Sequence, residues 1–164
     1  MFKPVALALA ALAFSAGVSA AAPPPSPTQI FRDHCVPFLQ GARTTVEAQA
    51  LAEKAGFEAI DAMRYRTPAG QLDFSTVIDG RRFCRVWLAQ GADYRAVLAD
   101  AAAMVKALPD GPYTQSGEPG PDEDQQRGVG WGGPRYSVEV TEDFNDDYER
   151  RLVLSGGSRK PIKP

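Results

Sequence analysis

One histidine, two cysteines, two tryptophans and three methionines among 164 residues leave little material for metal or redox chemistry. There is no CxxC pair, no HExxH and no GxSxG, so a zinc site on paired cysteines, a zincin and a nucleophile-elbow hydrolase all lack their residues. A Ser-His-Asp triad would have to use His34, the single histidine. A basic excess is missing too. Eighteen Lys and Arg stand against 20 Asp and Glu, a formal charge of −2, which removes the positive footprint that nucleic-acid binding needs. With 44% apolar residues the chain can build one core, whereas two domains would each be small.

The N-terminus reads as an export signal. Lys3 gives a positive start, Val5 to Phe14 form an apolar run, and Val18, Ser19 and Ala20 are the small residues a signal peptidase reads, so residues 1–20 are expected to be cut off after Ala20. The run is too short for a permanent membrane span. No membrane insertion is therefore expected after cleavage. Removing Lys3 leaves 17 basic against 20 acidic residues, a mature charge of −3. Thirteen Arg against five Lys, with abundant Ala, fits a GC-rich bacterial coding sequence and hence the periplasm or the medium.

Residues 21–28 are an Ala/Pro-rich linker, and a single domain is expected over 29–155. Ser26, Pro27 and Gln29 have the pattern of a capped helix start, and Ile30, Phe31, His34, Cys35 and Phe38 follow at helical spacing until Pro37 should end or kink the helix. A second helix is predicted over 45–55, between a Thr44/Glu47 capping box and Gly56. Leu72, Phe74, Thr76 and Ile78 alternate with polar residues, as do Cys84, Val86 and Leu88, which predicts a hairpin. A three-residue loop, Asp79 to Arg81, would set Phe74 opposite Val86 and Leu72 opposite Leu88. From the cap Asp93 the apolar residues Tyr94, Val97, Leu98, Ala101, Val105 and Leu108 predict a third helix, stopped by Pro109-Asp110-Gly111.

Residues 109–134 carry seven Gly and five Pro with an acidic run at Asp122, Glu123 and Asp124, the composition of a long mobile loop. Tyr136, Val138 and Val140, then Leu152 and Leu154, predict a second hairpin. The tail 156–164 is expected to be basic and disordered. Helix-hairpin order repeated twice predicts an α+β fold, about three helices covering a four-stranded antiparallel sheet.

Two cysteines in an exported chain pair most simply with each other, so Cys35 and Cys84 are expected to bridge the first helix to the sheet. The segments Phe31-Arg32-Asp33-His34-Cys35, Gly56-Phe57, Phe83-Cys84-Arg85-Val86 and Gly91-Ala92-Asp93-Tyr94 resemble a group of small uncharacterised secreted proteins of alphaproteobacteria, over roughly residues 28–108. The resemblance implies the cysteine pair and an exported α/β domain, and brings no activity with it.

Gly128, Gly130 and Gly133 match G-x-G-x-x-G literally, but no strand-to-helix context surrounds them, so no nucleotide cofactor, and no other cofactor, is expected. The same glycines flank Trp131, a candidate ring for a partner on a flexible loop, against the plainer reading that it packs over the sheet edge. Asp143, Asn145 and Asp147 have D-x-N-x-D spacing, a calcium candidate without the Gly and closing Glu that a calcium loop uses. Arg64, Arg66, Arg81, Arg82 and Arg85 gather around the first hairpin, either as a patch for an anion or acidic partner or as a solvated strand face. Together these features favour a non-catalytic periplasmic or secreted module that binds an envelope or extracellular protein or a small anionic ligand. A small envelope-acting hydrolase is the alternative, and an inhibitor or immunity-type protein a further one.

Overall fold

The computed structural model describes residues 23–77, 79–117, 128–144 and 149–162. The signal-like residues 1–20 lie outside that range. Ser26 caps the first helix as its sequence predicts: its side chain accepts from the Gln29 N–H at 3.2 Å, and the Gln29 side chain accepts from the Ser26 N–H at 2.8 Å. Helix α1 (Pro27–Ile30), a π-helical turn (Phe31–Cys35) and α2 (Val36–Leu39) then run on as one rod. Pro37 does not end it. A proline there cannot donate to the Asp33 carbonyl, and Arg43 Nη1 donates to that oxygen instead at 3.1 Å, while the wide π turn accommodates the ring. Helix α3 (Thr45–Lys54) has the Thr44/Glu47 capping box and is followed by Gly56 at φ +80°.

Strands β1 (Glu58–Ala59), β2 (Arg64–Thr67), β3 (Gly70–Thr76) and β4 (Arg82–Leu88) follow. Asp93 Oδ1 accepts from the Ala96 N–H at 3.0 Å to start α4 (Tyr94–Lys106). Strands β5 (Thr114–Ser116), β6 (Gly128–Gly132), β7 (Tyr136–Phe144) and β8 (Arg150–Ser158) complete the chain. All eight strands pair antiparallel in one sheet of order β1-β2-β3-β4-β8-β7-β6-β5. The α+β class and the repeated helix-then-strands order are as read from the sequence. Each expected hairpin, however, is the inner half of a four-stranded meander, so the sheet has eight strands rather than four. The two meanders meet where β4 pairs with β8.

The first hairpin differs in register from the expectation. Phe74 faces Cys84 and Leu72 faces Val86, because the Val77 N–H donates to the Arg81 carbonyl and Gly80 turns at φ +79°, moving the loop one residue earlier. The shift is two residues across the pair, so the buried set keeps its face. The expected loop 109–134 contains β5 and β6: Val129 and Trp131 point into the core between outward glycines, and β7 supplies the backbone partners that glycine-rich composition hides. The expected tail begins too early as well. Gly156–Ser158 belong to β8, the Arg159 N–H donates to Arg135 and the Ile162 N–H to Gly80, so the domain runs past 155 and the described part of the tail is held by the sheet. Likewise the linker ends at Ser26, since Pro27 already opens the helix.

The helices cover one face. Leu72, Phe74, Cys84, Val86, Val138 and Leu154 point toward them and are fully buried. Gly156 lets the first rod approach: a Cβ there would lie 2.7 Å from Leu39 Cδ1 and 2.9 Å from Phe31 Cζ. Cys35 and Cys84 are bridged, with Cα atoms 5.4 Å apart and both side chains fully buried, so the disulfide fastens the rod to β4, one of the sheet's two central strands. No helix among the described residues is long and apolar enough to cross a membrane.

Candidate functional site

Strand alternation disperses the five arginines. Arg82 shares the core face with Cys84, while Arg64, Arg66 and Arg85 occupy the helix-free face and Arg81 the turn. Arg64 pairs with Asp61 at 2.6 Å, Arg66 with Glu58 at 2.7 Å and Arg81 with Asp79 at 2.6 Å, each within its own hairpin. Arg82 is only 5% exposed: its Nη1 donates to the carbonyls of Phe38, at 3.0 Å, and Arg43, with the guanidinium 4.8 Å from the Phe38 ring centre. It closes the C-terminal end of α2, where carbonyls lack helical partners, and burial holds its pKa below the ordinary value. The five do not form one anion patch.

The calcium candidate falls largely outside the described residues. Asp143 lies in β7 opposite Arg151, and Asn145 and Asp147 lie outside the described residues. No group of three metal-ligating side chains occurs among the described residues. His34 is 7% exposed against the Phe57 ring, 5.0 Å between centres, and burial lowers its pKa against the pull of Asp33.

On the helix-free face Asp73 is a half-buried carboxylate held by side-chain donors. Asp73 accepts from Trp87 Nε1 at 2.6 Å and from Gln71 Nε2 at 2.7 Å, with Arg64 and Arg85 beside it in register. Burial raises its pKa, and those two donors and the arginines oppose the rise. Both oxygens being engaged, Asp73 fixes the indole and the amide on the sheet surface.

A more coherent site forms at the far edge. After α4, Asp110 gathers three donors: Tyr113 hydroxyl at 2.8 Å, Gln40 Nε2 at 3.0 Å and Tyr136 hydroxyl at 3.4 Å. Burial works to raise the Asp110 pKa, but those hydrogen bonds prevail and hold it below the usual value. Burial first, then the bonds to Tyr136 and Asp110, push the Tyr113 hydroxyl up, and burial pushes Tyr136 up to about 12. Both phenols therefore stay neutral donors at physiological pH. Thus braced, and set edge-on to Tyr136 at 5.8 Å between ring centres, Tyr113 forms one wall of a groove of about 410 Å³. Val105 and Leu108 of the α4 side and the buried Trp131 line it as well, and the exposed Lys106 and Gln115 add polar groups at its rim. Trp131 is 6% exposed, so it is not offered on a flexible loop; its ring packs at the sheet edge and shows only what the groove leaves open.

Of the candidate site residues read from the sequence, Trp131 alone lies in this groove. Asp110 sits in the stretch that reads as a helix stop, Tyr113 and Gln115 in the expected loop, and Lys106, in the last turn of α4, carries no signal in the sequence. The Tyr113 and Trp131 pair flanking a glycine run was the one available signal. Comparison with protein-family models, with curated proteins and with solved structures finds no match to this chain. Fold and groove together define a disulfide-bonded α+β protein with a one-sided helical cover and an aromatic cleft at its sheet edge.

Proposed function

We propose that the chain is an exported, non-catalytic binding module of the periplasm or the medium, akin to the secreted proteins it resembles, and that the groove over Trp131 receives its partner. The carrying observation is the groove: a lining of apolar and aromatic side chains, Tyr113 braced by the Asp110 network, and Lys106 as the one cation among its described lining residues. Export is supported by the composition of residues 1–20 and by the bridged Cys35–Cys84 pair, which an oxidising compartment sustains. Isotope-labelled protein titrated with envelope extract tests the binding reading. Resonances of Tyr113, Lys106 and the Trp131 indole should shift or broaden; perturbation confined to another surface, or none at all, rejects the groove. Fractionation of cells and the mass of the mature chain test export, with Ala21 as the expected first residue.

The hydrolase reading draws on Asp73, a carboxyl raised by burial beside a groove of about 410 Å³ that Phe83 and Arg85 also line. Asp73→Asn separates the two: it leaves partner capture intact under the first reading and abolishes turnover under the second.

A further inference from the structure

The groove lies along an open strand. β5 ends the sheet, all three of its residues are exposed, and nothing among the described residues pairs with its outer side. The hydrogen-bond phase follows from the β6–β7 turn. The Gly133 N–H donates to the Tyr136 carbonyl at 3.0 Å, which makes Gly133 and Tyr136 a hydrogen-bonded pair and, two residues on, Trp131 and Val138 another. Trp131 thus spends its backbone groups on β7. Gln115, opposite Trp131, turns its N–H and carbonyl away from β6 to the open edge, while its side chain joins the groove rim on the helix side.

A backbone donor and acceptor without a partner among the described residues, beside a cleft under a helix, is the arrangement that takes an extended peptide as an added strand. Building on the reading of this groove as the binding site, we infer that β5 receives an extended polypeptide segment as a ninth strand, with an apolar side chain seated over Trp131 and an acidic group near Lys106. Backbone pairing with Gln115 supplies orientation, and the period of two sends every second side chain of the incoming strand into the cleft between β5 and α4. Lys106, exposed at the last turn of α4, is the cation on the rim and selects the acidic neighbour.

The test uses the oxidised protein and an array of short acetylated peptides in which threonine alternates with one apolar residue, each ending in Glu or in Lys, with backbone N-methylated copies. Binding is read by amide shifts and by affinity. Expected are shifts at Thr114, Gln115, Ser116 and the Trp131 indole, a preference for Glu-ended peptides that Lys106→Glu reverses, and loss of about tenfold or more on N-methylation. Gln115→Pro removes the outward N–H at an edge position where proline is tolerated, and should cost the same; Gln115→Ala, which keeps that N–H, should stay within about threefold. Undisturbed binding to Gln115→Pro, with Lys106→Glu still harmful, overturns strand addition and leaves the groove reading standing. Peptide shifts confined to the Asp73 face, or no peptide bound, overturn both. Edge shifts that grow with protein concentration alone and vanish in Gln115→Pro assign the edge to a second copy and overturn the inference.

Discussion

Removing the disulfide gives the most quantitative handle on this fold. Cys35 and Cys84 are 49 positions apart, and closing a loop of that length restricts the unfolded chain by about 4 kcal/mol in the chain-entropy model. Both sulfurs are fully buried between the helical rod and β4, so Cys35→Ala/Cys84→Ala also leaves a small cavity costing about another 1 kcal/mol. With a guanidinium slope of about 3 kcal/mol per molar, the unfolding midpoint should fall by about 1.7 M. Equilibrium unfolding by circular dichroism, with and without reductant, measures this directly. Reductant should lower the wild type toward the variant and leave the variant unchanged. A midpoint shift under about 0.3 M, or a Cys35→Ala single variant as stable as the parent, would refute the assignment of that stability to the bridge.

Other perturbations probe single contacts. Gly156→Ala places a methyl against Leu39 and Phe31 and should destabilise by about 2 kcal/mol in thermal or denaturant melts, whereas Gly91→Ala, with open space at its Cβ but φ +82°, pays only backbone strain of about 1 kcal/mol. Arg82→Met removes the donor that the Phe38 and half-buried Arg43 carbonyls share, the Phe38 oxygen keeping the Gly41 N–H, and a loss of about 2 kcal/mol by urea unfolding is expected; Arg82→Lys should recover only part of it, since an ammonium cannot reproduce the planar guanidinium over the Phe38 ring. Stability should also fall with acid on account of His34. Its folded pKa lies below the ordinary 6.5, so the unfolded state binds more protons; the contribution is complete above that value and is lost as pH drops through it toward the folded pKa, a step that His34→Asn should remove from a stability-against-pH series.

How much of this was legible from residues alone depended on where the signal was local. Capping boxes at Ser26 and Thr44, the cap at Asp93 and the alternation of Leu72, Phe74, Cys84 and Val86 are short-range patterns, and each produced the element predicted. Strand β6 was missed because three of its five residues are glycine and its stability comes from pairing with β7, which local composition cannot express. Strand β2, with its Arg-Tyr-Arg-Thr sequence, has only Tyr65 and Thr67 turned inward and offers too little alternation to stand out. The candidate site suffered for the same reason: five arginines clustered in sequence were separated by strand alternation and a turn, whereas Asp110, Tyr113 and Trp131 were drawn together by the second meander.

The seam between β4 and β8 has a consequence for biogenesis. β8 follows the other seven described strands in the chain yet lies in the middle of the sheet, flanked by β4 and β7. Until residues 150–158 emerge, the two half-sheets have no common strand, and the inward edges of β4 and β7 lack their neighbour. A ribosome-bound chain therefore cannot complete this sheet early, and those two edges are the places where a holding chaperone would have most to shield.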